Sequence, residues 1–205
     1  MLIISSKQKL TEKFGENFLN IDKKLNEFAS KFNGEIFYIE DNKIPNNPNS
    51  IRKFINSKDP NAENSVLIVG GDDIIPFWRL KNPASDDGDE MVYSDNPYAS
   101  TDENFLIPER SIGRIPDAND ANFLISVLEN FINFKKNRRN SKFGYTADEW
   151  IEASKYVYKT INNNTRNLKI SPPTTSKNID IKFINKKKFY YFNLHGSEET
   201  KYWYG

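Results

Sequence analysis

The sequence predicts an α/β protein with three layers, in which a mainly parallel sheet lies between two layers of helices. Short β-branched runs alternate along the chain with segments of helical periodicity, as a parallel sheet with crossover helices requires. The run Val66–Val69 is apolar at every position, which is typical of a parallel strand buried on both faces. In such sheets, functional sites collect at the carboxyl ends of the strands.

The first third of the chain contains most of the clear signals. Leu2–Ser5 is a short β-branched run that favours a buried strand. Residues 10–32 carry apolar side chains at three- and four-residue steps, which predicts a helix with an interruption near Gly15 and Asn20. The next predictions along the chain are a strand at 35–40, a short helix at 50–56 and the strand Val66–Val69.

The stretch 80–109 is acidic and irregular, and it includes "ASDDGDEMVYSDNPYAST" at 84–101. The favoured interpretation is a solvated loop. Clustered oxygen ligands would also suit a hard cation such as calcium, but their spacing fits no EF-hand loop. No cofactor and no other metal is predicted.

The middle of the chain predicts a strand, a helix and then a domain boundary. "RSIGRIPD" at 110–117 favours a short strand and a turn. Residues 118–136 are predicted to form an amphipathic helix with one apolar stripe. The predicted stripe consists of Phe123, Val127, Phe131 and Phe134.

A domain boundary is predicted after this helix. "KNRRNSKFG" at 136–144 is basic, polar and ends in glycine, so we divide the chain into domains 1–140 and 141–205.

After the boundary, the pattern goes almost directly into a helix. Thr146 followed three residues later by Glu149 matches a capping box. The predicted inner face of this helix consists of Trp150, Ala153, Val157 and Ile161. After the helix, "LKISPPTTSKN" at 168–178 favours a loop, and "KKFYYFNLHG" at 187–196 favours the last strand.

Composition excludes several classes of function. The 205 residues contain no cysteine and one histidine, so neither a disulfide scaffold nor a metal site built on thiolates or two imidazoles is available. Lysine and arginine total 29 against 28 aspartates and glutamates, which gives no field that would attract nucleic acid or an anionic membrane. No stretch resembles a signal peptide or a membrane span, which predicts a cytoplasmic protein.

The single histidine, His195, is the strongest candidate for chemistry. It follows an apolar strand, and Gly196 behind it would allow close approach of a substrate and free an N–H for an oxyanion. From these residues alone, an ordinary histidine is the better interpretation. "GGDD" after the strand Val66–Val69 is not a phosphate loop, because the GK[ST] ending is missing and two aspartates would repel phosphate.

Four segments taken in order resemble the gingipain-type cysteine peptidases of the caspase-like superfamily. These segments are "VLIVGGDDIIPF" at 66–77, "YSDNPYAS" at 93–100, "RSIGRIPD" at 110–117 and "FNLHGSEETKYWYG" at 192–205. Each segment is unspecific by itself, but together they span about 140 residues in the order of the family.

The resemblance implies a caspase-like fold and a role for each matching residue. His195 would be the catalytic histidine, and Gly196 would donate an N–H to the oxyanion hole. In this superfamily the nucleophilic cysteine ends the strand after the histidine strand, which the 205 residues do not contain. We therefore expect an incomplete second unit, in which 141–205 begins the catalytic subdomain and a following segment or partner chain supplies the cysteine. We name no third catalytic carboxylate, and Trp203 would border the substrate cleft or pack beneath the loop.

Two departures from the family limit what can be transferred. Gingipains are secreted and begin their second unit with a strand, whereas this sequence shows neither feature, so it is more similar to an intracellular relative. In gingipains an acidic residue near this region sets a preference for basic residues. Asp148 and Glu149 lie in a comparable place, although acids of the first helical turn are the simpler interpretation.

Three functional hypotheses stay open at this point. The first is one part of a peptidase that cleaves protein or peptide substrates. The second is a cysteine-less pseudoprotease that acts as a binding or regulatory module. The third is an unrelated α/β hydrolase or nucleotide-binding protein.

Overall fold

The structure, a computed structural model, describes residues 1–82, 90–134, 141–185, 187–197 and 200–205. The chain divides into two compact units, Met1–Phe134 and Lys135–Gly205. Each unit carries its own parallel sheet. None of the described helices is long and apolar enough to cross a membrane.

A four-stranded parallel sheet forms the centre of the first unit. Its strands are β1 (Leu2–Ser5), β2 (Glu35–Tyr38), β3 (Val66–Val69) and β6 (Ile112–Ile115). They lie in the order β2-β1-β3-β6. All four residues of β1 are buried, as its short β-branched run predicts. The chain places β2 on one side of β1 and β3 on the other, which creates a topological switch point between β1 and β3.

The helix predicted at 10–32 forms as two helices with a break at the expected place. Gly15 has φ +55° and opens a single 3-10 turn, a conformation that glycine adopts without steric cost. Asn33 ends the second helix in the left-handed conformation, as C-caps often do. The helices of this unit are α1 (Lys7–Phe14), α2 (Phe18–Phe32), α3 (Pro48–Lys58), α4 (Asn96–Ala99) and α5 (Ala121–Ile132).

The stripe predicted for α5 is wrong. The helix buries Ala121, Leu124 and Leu128, whereas Phe123 and Phe131 are 40% and 49% exposed. The buried stripe is the smaller, aliphatic one, which allows α5 to pack closely along α2. The C-terminal end of the prediction, beyond 134, lies outside the described residues.

The stretch predicted as an irregular loop is in part regular, so that prediction is also wrong. β4 (Trp78–Lys81) and β5 (Met91–Ser94) form an antiparallel pair, and α4 follows directly. Residues 83–89, which contain much of the acidic cluster, lie outside the described residues. No group of three metal-ligating side chains comes together among the described residues, and calcium binding stays a prediction.

The described part of the second unit begins with a strand, contrary to the prediction of an almost immediate helix. β7 (Lys142–Ala147) is the central strand of a parallel sheet with the order β8-β7-β9. Gly144, which looked like part of a linker, is a packing glycine within this strand. A Cβ there would lie 2.8 Å from both Tyr158 Cε2 and Leu168 Cδ1.

The prediction of a loop at 168–178 fails at its start, because β8 (Leu168–Ser171) pairs with β7. The chain then forms a short helix, α7 (Ile181–Ile184), and the strand β9 (Phe189–Asn193). A hairpin that the sequence did not predict follows, consisting of β10 (His195–Ser197) and β11 (Thr200–Tyr204).

Helix α6 (Ile151–Asn162) covers one face of this sheet, but not with the predicted residues. It buries Ser154 and Tyr158, whereas Val157 is 42% exposed. The buried residues of α6 therefore lie one position after the predicted Ala153 and Val157. Ser154, which hydrogen-bonds to three polar side chains, faces the sheet where Ala153 was expected. On the other side of the unit, Phe192 of β9 stays 42% exposed.

Mainly parallel strands with flanking helices in both units confirm the predicted α/β class.

Candidate active site

Arg114 joins the first three family-like segments. Its Nε and Nη2 lie 2.8 and 2.6 Å from the carboxylate of Asp95. Its Nη1 donates to the carbonyls of Gly70 and Ile75 at 2.9 and 2.8 Å, and its guanidinium lies 3.9 Å from the ring centre of Phe77. The side chain is 8% exposed. These motifs therefore meet in a structural core.

The carboxyl ends of β3 and β6 are closed by an ion-paired cluster. Lys13 Nζ lies 2.8 Å from Asp73 and 2.7 Å from Asp117. Burial raises the pKa of Asp117, but the hydrogen bonds from Lys13 and from the N–H groups of Gly71 and Asn119 outweigh it, so that its pKa falls below the usual value. The N–H of Gly71, within "GGDD", thus binds the protein's own carboxylate at 2.7 Å. This contact argues against a nucleotide site there.

Asp72 likewise orders a turn. It accepts a hydrogen bond from the N–H of Phe77 at 2.7 Å and pairs with Arg79. The Arg79 guanidinium and that N–H hold the pKa of Asp72 below its usual value.

His195 lies in the second unit, two residues beyond the carboxyl end of β9. Its Nε2 is 3.3 Å from Oε2 of Glu149, and its side chain is 38% exposed. Two aromatic rings lie near the imidazole: the Trp150 ring centre is 4.2 Å away, and the Tyr204 ring stacks at 5.9 Å. A carboxylate near one nitrogen and two neighbouring rings restrict how the imidazole can turn.

The predicted capping box of Thr146 and Glu149 does not form. Thr146 is buried inside β7 and bonds to Ser154 and to the carbonyl of Ala147. Asp148, Glu149 and Trp150 form a 3-10 turn without a side-chain cap. Because β7 and β9 are parallel neighbours, their carboxyl ends bring this turn to His195. The structure brings Glu149 to the histidine and leaves Asp148 exposed.

Gly196 lies at an irregularity of the β10–β11 hairpin. The pairing register shifts between His195 and Ser197, and such bulges leave a peptide outside the regular ladder. A Cβ on Gly196 would meet nothing within 4 Å. The backbone at this position therefore has open space around it.

Trp203 borders a cleft of about 420 Å³ at the carboxyl edge of the same sheet. The indole is 65% exposed and packs edge-on against Phe192, with ring centres 5.5 Å apart. Tyr204, which stacks on His195, also lines the cleft, so the cleft and the histidine share a wall. Its apolar lining includes Tyr145, Ile179, Ile184, Phe192 and Leu194.

Sequence reasoning missed the pairing of Glu149 with His195. The segment "YTADEW" at 145–150 has the pattern of a strand end followed by acidic residues, but that pattern does not say which strand lies beside it. Two parallel neighbours place their carboxyl ends at one edge, where polar residues that are distant in sequence meet.

Comparison with known proteins supports the assignment of the fold. The chain matches the model of peptidase family C25 over residues 1–202. It superimposes on gingipain R, described as an Arg-specific cysteine proteinase, with a TM-score of 0.62 and 19% identity, over 96% of this chain and 47% of that chain. This similarity confirms the predicted caspase-like fold.

A complex of the pro- and mature domains of Porphyromonas gingivalis RgpB gives a TM-score of 0.59 and 18% identity, over 96% of this chain and 48% of that chain. The chain thus spans about half the length of the solved structures that it matches. No curated protein sequence matches it. With the family model covering nearly all of its 205 residues, the chain belongs to peptidase family C25, the gingipain family of cysteine peptidases.

Proposed function

We propose that this chain supplies the histidine-bearing part of a gingipain-type cysteine endopeptidase, and that a segment outside these 205 residues supplies the cysteine. The observation that carries the proposal is the contact of 3.3 Å between His195 Nε2 and Glu149, at the carboxyl end of parallel strands in a C25-family chain. A half-exposed imidazole beside a carboxylate is suited to exchange protons with a bound substrate.

The geometry suggests which nitrogen reacts. Glu149 faces Nε2, so it favours the tautomer with hydrogen on Nε2 and leaves Nδ1 available. The cysteine thiolate attacks the peptide carbonyl, and the imidazolium transfers its Nδ1 proton to the leaving amine. The neutral Nδ1 then takes a proton from the water that attacks the thioester; the C–S bond breaks, which releases the acid and restores the thiolate and the imidazolium.

Gly196 is the proposed donor to the oxyanion. The tetrahedral intermediate places a negative charge on the former carbonyl oxygen, and preorganised N–H groups stabilise it. The shifted register of the hairpin at Gly196 supports an available N–H, and the second donor would be the N–H of the cysteine.

The outer edge of β9 is the proposed position of the cysteine-bearing strand. Among the described strands of this unit, β9 pairs only with β7. A parallel strand added to that edge would end beside Asn193 and His195. It would also cover apolar surface, since Tyr190 and Phe192 are 41% and 42% exposed. An exposed edge of this kind is a template for pairing.

The cleft beside Trp203 is the proposed site for a substrate side chain. Its aromatic and aliphatic lining favours an apolar residue, because an unpaired charge would lose its hydration there. Asp148, exposed on the turn that bears Glu149, is the remaining candidate to meet a basic residue. Peptide libraries cleaved by wild type, Trp203→Ala and Asp148→Asn would separate the two preferences.

The test is to express this chain with its cysteine-bearing segment, encoded in the same gene or separately, and to assay cleavage of a mixed peptide library. We expect cleavage that is lost on replacing either His195 or the cysteine. Cleavage that persists in His195→Ala would refute the role of the histidine.

The alternative function is a pseudoprotease that binds partners without cleaving them. The lack of cysteine in all 205 residues favours it. In that case the chain would bind its partner equally well with and without His195, and no cysteine-bearing segment would confer activity. A cytoplasmic location stays a prediction of the sequence.

A further inference from the structure

We propose that the buried hydroxyl pair Thr146–Ser154, together with Asn193, positions Glu149 and His195 relative to each other. This group of three side chains is called the polar node below. The inference rests on the proposed role of His195, but it concerns residues that take no part in the proposed chemical steps.

The node links three elements at one point. The hydroxyls of Thr146 in β7 and Ser154 in α6 are 2.7 Å apart, and both residues are fully buried. Asn193, the last residue of β9, donates from Nδ2 to Ser154 Oγ at 2.9 Å. Tyr191 of the same strand donates to the same oxygen at 3.2 Å.

The directions of these hydrogen bonds follow from counting donors. A hydroxyl has one hydrogen and two acceptor sites. Ser154 Oγ accepts from Asn193 and Tyr191, so its own hydrogen points to Thr146. Thr146 Oγ1 in turn donates to the carbonyl of Ala147 at 3.0 Å. Both hydroxyl hydrogens of the node therefore have an acceptor, and buried hydrogen-bond networks that are satisfied in this way are rigid.

The positions of these residues in the chain connect the node to the candidate pair. Thr146 lies three residues before Glu149, and Asn193 lies two residues before His195. Only Ala147 and Asp148 separate Thr146 from Glu149, and only Leu194 separates Asn193 from His195. Segments this short pass the positions of the two strand ends on to the pair. The node is the nearest buried point that holds both strand ends.

The side chains of the pair do not fix their own separation. Glu149 is 72% exposed and His195 is 38% exposed, and exposed ion pairs hold their geometry weakly. The contact of 3.3 Å thus depends on the backbone beneath it, which the node secures.

A matched pair of variants tests the proposal. Thr146→Val keeps the shape of the side chain and removes the hydroxyl, whereas Thr146→Ser keeps the hydroxyl. Since His195 is the only histidine, long-range ¹H–¹⁵N NMR spectra of the 205-residue chain report its imidazole without assignment. We expect Thr146→Val to shift the imidazole nitrogens and to lower the share of the Nε2–H tautomer. Thr146→Ser should resemble wild type.

If Thr146→Val does not fold, Asn193→Ala provides the same test at the edge of the node. Imidazole spectra identical to wild type in a folded Thr146→Val or Asn193→Ala variant would overturn the proposal. A loss of thermal stability without a change at His195 would also overturn the proposal, because the node would then stabilise the fold without positioning the histidine.

In the completed peptidase, Thr146→Val should lower kcat about tenfold to a hundredfold with little change in KM, as misplaced catalytic groups do. Spectral shifts in a protein that never cleaves peptides would refute the proposed function and leave the node intact. Wild-type kcat in Thr146→Val would refute the node and leave the proposed function intact.

Discussion

The two sheets share a local topology but differ at their carboxyl edges. In each, the first strand lies in the centre and the next two flank it, in the orders β2-β1-β3 and β8-β7-β9. In the first unit Lys13, Asp73 and Asp117 close the edge with ion pairs. In the second unit the edge carries a half-exposed His195 beside a carboxylate and a cleft. The same arrangement of strands thus supports a structural cluster in one unit and a candidate site in the other.

The largest effect should come from His195, and it should be an effect on activity alone. General acid–base groups contribute about a hundredfold to ten-thousandfold to rate, so His195→Ala should reduce kcat/KM of the completed peptidase by about a thousandfold. The melting temperature of the 205-residue chain should stay close to that of wild type. A large loss of stability would show that this histidine is structural and would break the comparison.

Replacing Lys13 should lower stability and leave activity unchanged. Lys13→Met leaves the carboxylate of Asp117, which is 2% exposed, without its cation, and breaking a buried pair in this way costs about 3 kcal/mol. Hydrogen exchange of the peptide that contains β3 should accelerate accordingly, while peptidase activity stays at the wild-type level in the folded protein. Activity that falls without faster exchange would place the first unit in the catalytic machinery.

Low pH should weaken the cluster of Lys13, Asp73 and Asp117. The folded pKa of Asp117 lies below its usual value, so this group stabilises the fold above about pH 4, the ordinary aspartate range, and this stabilisation is lost as the pH falls through the folded pKa. We expect exchange in β3 to accelerate below about pH 4 in wild type and to depend less on pH in Asp117→Asn. Equal pH profiles would contradict the assignment.

Gly144 tests the packing beneath the second edge. Gly144→Ala would force a Cβ to within 2.8 Å of Tyr158, and overpacking of this kind costs about 2 kcal/mol. The expected result is a lower melting temperature of the second unit, with Tyr158→Leu in the same background restoring part of it. An unchanged melting temperature would show that α6 can shift away from Gly144 at little cost in free energy.

The smallest effect should come from Glu149. Because this carboxylate is 72% exposed, solvent screens its influence, and Glu149→Gln should reduce kcat about tenfold. Asp148→Asn is the matched control on the same turn and, assayed with a substrate that has no basic residue, should leave kcat unchanged. If Asp148→Asn caused the larger loss, the contact with His195 would not be the functional one.

The sequence predicted elements whose signals are contiguous. Val66–Val69 forms the expected strand because four consecutive apolar residues suit a strand buried in a parallel sheet. β7 was missed because Gly144 resembles a linker residue, and its need for close approach to Tyr158 appears only after folding. The buried stripes of α5 and α6 were each misplaced because two apolar faces compete, and only the packing partner selects one.

The candidate site was predictable in part. His195 and Gly196 could be proposed from the strand end and from the family resemblance, whereas the approach of Glu149 depends on β7 and β9 being neighbours. That neighbourhood is a property of the sheet, and no local pattern in the sequence encodes it.

The central claim is that Glu149 holds Nε2 of His195 and leaves Nδ1 to react. Long-range ¹H–¹⁵N NMR of the single imidazole, recorded where the ring is neutral, measures the tautomer directly. We expect the Nε2–H form to predominate in wild type and to lose population in Glu149→Gln but not in Asp148→Asn. A predominant Nδ1–H form in wild type, or a spectrum that Glu149→Gln leaves unchanged, would contradict it.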